Sequence, residues 1–337
     1  MFFQKLQKKI GNITNESLSK EIYKNILRNS KIAKKHSSIK ELRDKNFNNS
    51  KVALVVAGGP SLRKKDFRNT IIKYRKKFHI ICAEGTLFYL LEKKIIPDLV
   101  VTLDPHKKRI VRWFGDKNLT KKDLKKDDYY RRQDLDLKFR NEISTNKKIL
   151  NYTTKYGKLL NVAPCTSSSS LVVKRLEEMK SKLFWWNPFL DEPNKKNSLS
   201  KKIYKLNKLP LINGIGNVGS ACWMMAESVF KFKKIVLIGM DCSYYIDTPI
   251  KATQYYDILI KTFGKKNINK FYKRIYNKKL KKYFYTDHVY YWYKNLFIDA
   301  AKSSSSKTYN CTEGGIIFEK PIITRKFIDF CKIELTK

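Results

Sequence analysis

The sequence predicts an α/β protein with a doubly wound, mostly parallel sheet and helices on both faces. Three observations predict it: apolar runs that do not alternate, glycine turns that end them, and amphipathic segments between them. The stretch "VALVVAGGPSL" (52–62) contains the first two and opens the third. Its apolar run, 52–57, suits a strand covered on both faces. Gly58 and Gly59 permit positive φ and close approach, and Pro60 fits the first turn of a helix. Free N–H groups at such a helix start favour an anion, and Ser61 adds a hydroxyl, so the turn is a candidate phosphate site; a tight βα turn without a ligand is the alternative.

The other elements follow in order. Residues 1–47 are polar and lysine-rich, with Leu18, Ile22 and Ile26 at helical spacing, and form an N-terminal helical extension ahead of a domain spanning 48–332. A helix is expected over about 61–77, a strand at "HIICAEGT" (79–86), a helix carrying Leu87, Leu90 and Leu91, and a strand at "IIPDLVVTLDP" (95–105). That is β-α-β-α-β, the arrangement of a doubly wound sheet. From about 107 to 147 the pattern breaks into charged and aromatic residues, an excursion from the sheet. Strands are expected at 147–153 and 158–164, and "CTSSSS" then caps a helix carrying Leu171, Val172, Leu176 and Met179. Residues 183–208 read as a long loop. Gly214, Gly216 and Gly219, with Asn217 between them, satisfy G-x-G-x-x-G ahead of an apolar helix face (Val218, Ala221, Cys222, Met225, Val229) and a strand at 234–240. Residues 251–306 read as helical, with an excursion at about 265–290. A short segment "TYNCTEGGIIF" (308–318) and an amphipathic helix from about 323 close the chain.

At 337 residues and 42% hydrophobic, the chain can bury a substantial core. No apolar run approaches the length of a membrane span, and "MFFQKLQKKIGNI" lacks the apolar core of a signal peptide, so a cytoplasmic location is expected. Six scattered cysteines without a CxxC pair point to neither zinc nor a disulfide framework. The net charge of +42 comes from 72 Lys and Arg against 30 Asp and Glu. Lysine far exceeds arginine and is spread along nearly every segment, which favours a solvated surface over a nucleic-acid groove. Such a surface still attracts nucleotides and acidic glycans.

The late G-x-G-x-x-G, with Asp241 about twenty residues beyond it, matches a dinucleotide fingerprint. Yet such a fingerprint belongs in the first βα turn, where this chain has GGPSL and where Pro60 offers no N–H, so NAD is not the preferred ligand. Glu84, Asp104 and Asp241 each end a strand. In an open α/β sheet they, Gly58, Gly59 and Ser61 face one crevice. These acids can hold ribose hydroxyls, bind a divalent cation, act as a base or merely cap the next segment. His106, after Asp104-Pro105, and His288, beside Asp287, are candidate bases, with surface roles as the alternative. Neither a G-x-S-x-G elbow nor HExxH nor a Walker A sequence is present.

In order, "VAGGPSL", "AEGTLFYLLEKKIIPDLVVTLDP", "GNVGSACWMMAESVFKFKKIVLIGMDCSY" and "NCTEGGIIF" resemble the family that contains MptE-like 6-hydroxymethylpterin diphosphokinases and the motility accessory factor glycosyltransferases. The resemblance spans roughly residues 50–330 and implies a Rossmann-like domain, similar to that of bacterial sialyltransferase-like enzymes, acting on an activated nucleotide. One branch transfers diphosphate from ATP to a pterin alcohol with magnesium. The other is associated with transfer of nonulosonic acid sugars from CMP to protein hydroxyls, and "NCTEGG" and the chain length resemble that branch more.

On this resemblance the expected function is nucleotide-dependent transfer from a CMP-sugar to a glycan or protein hydroxyl, with no certain cofactor. Gly58, Gly59, Pro60 and Ser61 are then expected at the donor phosphate, Glu84 and Asp104 at nucleotide or sugar hydroxyls, and Gly214, Gly216, Asn217 and Gly219 at the other half of the site with Asp241 at its rim. His106 or His288 is the expected base and Tyr244 a hydrogen-bond donor to phosphate. The alternatives are an ATP-dependent diphosphokinase with Asp104 and Asp241 as magnesium ligands, and a basic nucleic-acid-binding protein without catalysis. After "GMD" this chain has Cys242-Ser243-Tyr244 where the motility branch has leucine, alanine and tyrosine, which leaves the acceptor open.

Overall fold

The computed structural model describes residues 20–43, 50–106, 108, 110–126 and 142–335. Its strands are, in chain order, β1 (Ser37–Ser38), β2 (Val52–Val56), β3 (Phe78–Ala83), β4 (Leu99–Thr102), β5 (Asn161–Pro164), β6 (Lys182–Trp185) and β7 (Asn187–Pro188). There follow β8 (Leu211–Ile212), β9 (Lys234–Ile238), β10 (Tyr244–Tyr245), β11 (Tyr272–Asn277), β12 (Lys282–Asp287), β13 (Lys307–Asn310) and β14 (Ile323–Thr324). Nine of them form one sheet in the order β1-β6-β5-β4-β3-β2-β9-β13-β14, with every pairing parallel. The fold is Rossmann-like, with helices on both faces.

The alternation inside β2 shows why its apolar run is continuous. Val52, Leu54 and Val56 enter the core on one face, beside Phe78 and Ile80. Ala53, Val55 and Ala57 enter the core on the other, beside Ile81, Ala221 and Cys222. A strand buried on both faces has no polar side to show. From β2 the chain winds outward through β3, β4 and β5 to β6, then returns to place β9 against the other edge of β2 and continues to β13 and β14. The winding reverses between β2 and β9, and the crevice above their carboxyl ends is the switch point of the sheet.

Several expectations are corrected. The segment 147–153 is not a strand; it lies within the helix Glu142–Tyr156, whose buried positions Asn146, Ile149 and Thr153 recur at helical spacing. The expected loop 183–208 contains β6, β7 and the helix Leu199–Asn207, whose first turn is capped by Ser198. The four consecutive aromatic and aliphatic residues Leu183–Trp186 are all buried, with β6 held between β1 and β5, and this burial is what makes the segment a strand and not a loop. Within 251–306, the expected helical excursion at 265–290 is largely a hairpin, β11 paired antiparallel with β12, and β10 completes a three-stranded sheet. Leu211–Ile212 belongs to a separate parallel pair with Asn187–Pro188, so the glycine motif at 214–219 follows a strand outside the main sheet.

Of the extension expected over 1–47, residues 1–19 and 44–47 lie outside the described residues. The helix at 20–33 packs on the main domain: Asn29 Nδ2 donates to the carbonyls of Thr166 at 2.8 Å and Ser168 at 2.7 Å, and β1 then joins the sheet beside β6. Of the 107–147 excursion, residues 107, 109 and 127–141 also lie outside; its described part includes the helical turn Ile110–Phe114 and the helix Lys121–Lys126. No helix among the described residues is long and apolar enough to cross a membrane.

Candidate functional site

A cleft of about 250 Å³ opens over the carboxyl ends of β2, β3, β4 and β9. Of the positions singled out in the sequence, Gly58, Gly59, Pro60, Glu84, Asp104, Gly216, Asn217, Gly219, Asp241 and Tyr244 line it. Ser61, Gly214, His106 and His288 do not.

The helix start after β2 already holds a carboxylate. Ser61 donates its backbone N–H to Asp241 Oδ1 at 3.2 Å and its hydroxyl to Oδ2 at 2.6 Å. Glycines make room for this acid. A Cβ on Gly59 would lie 2.1 Å from Asp241 Oδ2 and 2.5 Å from the Gly239 carbonyl oxygen, and one on Gly314 would lie 2.9 Å from Asp241 Oδ1. Gly315, at φ +78°, passes so close to the Asp241 backbone that a Cβ would lie 2.3 Å from its carbonyl oxygen. The glycine pair of "NCTEGG" is thus explained by packing on Asp241, a contact that the sequence does not reveal. Burial pushes the Asp241 carboxyl up to about 7, against the pull of the Ser61 hydrogen bonds. A ligand phosphate that took the Ser61 donors would have to displace Asp241.

Gly58 is different. It is exposed in the cleft, and a Cβ there would meet nothing nearer than Thr86 Cγ2 at 3.7 Å, so packing does not demand glycine at this point. Beside it, Glu84 is only 5% exposed, and its Oε2 has no hydrogen-bond partner among the described residues. Burial pushes its carboxyl up to about 8, a backbone hydrogen bond opposes this, and the charge of Asp104 adds to it. Asp104 is half-buried and accepts the backbone N–H of His106 at 2.8 Å.

Across the cleft, the glycine motif serves the walls. Gly216, at φ +82°, lies against the Tyr293 ring, which a Cβ would approach to 2.4 Å, and Gly219 lets the helix Val218–Met224 close on Ala57. Gly214 has only ordinary contacts. Asn217 caps the helix by accepting the Ser220 N–H at 2.9 Å.

The Tyr244 hydroxyl donates to Asp287 Oδ2 at 2.9 Å and accepts the Gln254 N–H at 3.2 Å, so its proton is committed and its ring is what remains to face a ligand. Asp287 is fully buried, caps the helix His288–Lys302 through the N–H groups of Val289 and Tyr290, and is pushed up to about 6 by burial. His288, expected as a base or a surface residue, is the first residue of that helix; it is 2% exposed, packs edge-on against Phe271, and burial lowers it to about 4.

The wall contains residues not singled out in the sequence: Trp113, Tyr255, Tyr290 and Tyr293. Tyr290 and Tyr293 are three apart on one helix, and reading "VYYWY" with a helical period would have placed them on one face. Among the described residues no group of three or more His, Cys, Asp or Glu is arranged to hold a metal ion. The Asp104 and Asp241 pair fits magnesium poorly, because both Asp241 oxygens accept from Ser61.

Residues 24–121 match the family described as 6-hydroxymethylpterin diphosphokinase MptE-like. No curated protein matches the sequence. Among solved structures, the MAf glycosyltransferase from Magnetospirillum magneticum AMB-1 is similar in fold, with a TM-score of 0.50 at 12% identity over 82% of this chain. The chain spans only 33% of that protein's length. The resemblance read from the residues therefore has two supports: an MptE-like sequence match over residues 24–121, and the fold of a MAf glycosyltransferase over most of the chain.

Proposed function

We propose that the protein is a nucleotide-sugar-dependent glycosyltransferase that acts in the cytoplasm. The observation that carries this reading is that one cleft, above the carboxyl ends of β2, β3 and β9, is lined both by an open glycine floor at Gly58 and by a buried carboxyl whose Oε2 has no hydrogen-bond partner among the described residues, Glu84. The exposed backbone at Gly58 suits close approach by a donor phosphate, and the rings of Tyr244, Tyr290 and Tyr293 suit a sugar or base face. The fold shared with a MAf glycosyltransferase supports the same class.

In this reading a CMP-linked nonulosonate donor lies over β2 and β9, and the acceptor is a glycan or protein hydroxyl. The acceptor oxygen attacks the anomeric carbon, the bond from that carbon to the phosphate oxygen breaks, and CMP leaves with the bonding pair. Asp104 takes the acceptor proton. Glu84, which burial keeps protonated near neutrality, donates a hydrogen bond to the departing phosphate. His106 and His288 lie outside the cleft lining, so Asp104 replaces them here as the base.

Thermal unfolding with CMP, UDP and ATP, each with and without magnesium, tests this. A ligand at about a hundred times its dissociation constant adds roughly 2.7 kcal/mol. Stabilisation by CMP without metal supports the proposal. Stabilisation only by ATP with magnesium moves the assignment to a diphosphokinase, the reading that the MptE-like match over 24–121 favours. In that case Asp241 would have to leave Ser61 to hold magnesium.

A further inference from the structure

Asp104 lies on a stretch without regular structure, residues 103–106, just past the end of β4. Its place is therefore set by side-chain hydrogen bonds and not by the sheet ladder. The carbonyls on either side of it are both held. Ser167 donates its hydroxyl to the Leu103 carbonyl at 2.6 Å, and Asn25 Nδ2 reaches the Pro105 carbonyl at 3.4 Å. The same Asn25 nitrogen donates to the Ser167 carbonyl at 3.0 Å, so the two tethers meet at one amide. Between them the Asp104 carboxylate accepts the His106 N–H at 2.8 Å, which turns the side chain back on its own loop.

The tethers are themselves fixed from behind. Arg28 Nη1 donates to Asn25 Oδ1 at 3.0 Å. A guanidinium can only donate, so this contact sets the amide with its nitrogen toward the turn. Arg28 Nη2 also donates to the Ser168 carbonyl at 3.0 Å, beside the two bonds from Asn29. Asn25 and Ser167 are each 4% exposed, while Asp104 is half-buried and lines the cleft. Ile26 and Ala33 on the same helix are buried apolar residues that serve packing. Asn25, Arg28 and Asn29 instead aim donors at the turns after β4 and β5, and a laced polar network of this kind fixes geometry where apolar contact would allow sliding.

We propose that Asn25 and Ser167 are positioning residues for the base Asp104, and that the helix at 20–33 is thereby a working part of the transfer site. The assignment rests on the reading of Asp104 as the group that takes the acceptor proton. A base acts only within hydrogen-bond reach of that proton, and a misplacement of about 1 Å can cost roughly a hundredfold in rate. Neither tether touches the donor, so their loss falls on turnover and not on donor affinity.

The test follows CMP release from CMP-N-acetylneuraminate, with water in the acceptor's place, over a range of donor concentration. Amide hydrogen exchange of residues 102–106 is measured in parallel. Ser167→Ala, and Asn25→Asp, which keeps the Arg28 contact and loses the amide donor, should each lower kcat about tenfold with KM close to the parent's, and exchange at 102–106 should quicken. Ser167→Thr, which keeps the hydroxyl, should restore both. Added to Asp104→Asn, Ser167→Ala should cost nothing more in kcat, because it works through a base already lost. An unchanged kcat in both tether variants, or a further loss on top of Asp104→Asn, overturns the positioning role and leaves the base reading standing. Exchange that neither variant alters overturns it as well, whether or not CMP is released. A parent that releases no CMP, or an Asp104→Asn protein as active as the parent, removes the base reading and the positioning role with it, and quickened exchange then leaves only an anchored turn.

Discussion

Ser61 and Asp241, 180 residues apart in the chain, share a 2.6 Å hydrogen bond where the winding of the sheet reverses. The bond ties the turn after β2 to the turn after β9, so the two halves of the crevice floor are one unit. It also means that the helix start, a favourable place for an anion, is occupied by the protein's own carboxylate.

Ser61→Ala and Asp241→Asn should each destabilise the fold by about 1–3 kcal/mol, because each leaves a buried polar partner poorly satisfied. The double substitution should cost less than the sum. Urea unfolding of the three variants measures both quantities, and full additivity would show that the two residues do not act through each other.

Gly58→Ala and Gly59→Ala should behave oppositely. At Gly59 the new Cβ would meet Asp241 Oδ2 and the Gly239 carbonyl, so that variant should lose several kcal/mol or fail to fold, about the scale of severe core strain. At Gly58 the nearest atom is at 3.7 Å, so the protein should fold with a nearly unchanged midpoint while CMP no longer raises it. A Gly58→Ala protein that CMP still stabilises fully would remove the phosphate from this floor.

Stability should decline with rising pH on account of the buried acids. Glu84, Asp241 and Asp287 are held up to about 8, 7 and 6 by burial, above the usual carboxyl values. For such groups the native state binds more protons than the unfolded chain. Their contribution is complete below about pH 4 and is lost as pH rises through the folded values. Glu84→Gln should flatten the upper part of this decline and be more stable than the parent at pH 8 by on the order of 1 kcal/mol. Melting temperature against pH for both proteins measures it. Transfer activity, if Glu84 works protonated, should fall through the same upper range.

Tyr244→Phe should cost about 1–2 kcal/mol, since Asp287 is fully buried and keeps only backbone donors. Donor affinity should persist, because the ring still faces the cleft. A large loss of CMP stabilisation with little loss of fold stability would instead return the hydroxyl to the role of a phosphate ligand.

The strands β2, β3 and β4 and the turns after them were legible because their signal is local: an apolar run buried on both faces, then glycine or an acid. The helix Glu142–Tyr156 and the hairpin of β11 and β12 were misread because each packs only part of its surface, so residue type and period point different ways. Ile149 and Thr153 look strand-forming, yet their spacing with Asn146 is helical, and burial follows the spacing. Gly314 and Gly315 had no visible partner at all, since their need for a missing Cβ exists only beside Asp241.

From residues alone, the GGPS turn was bound to form a helix start that favours negative charge, because backbone N–H groups there lack partners in any context. Which negative charge fills it was not a local matter. Strand order brings Asp241 beside Ser61, and sheet pairing across the β2 and β9 junction, not the turn itself, assigns that anion to the protein and leaves Gly58 and Glu84 to face the cleft.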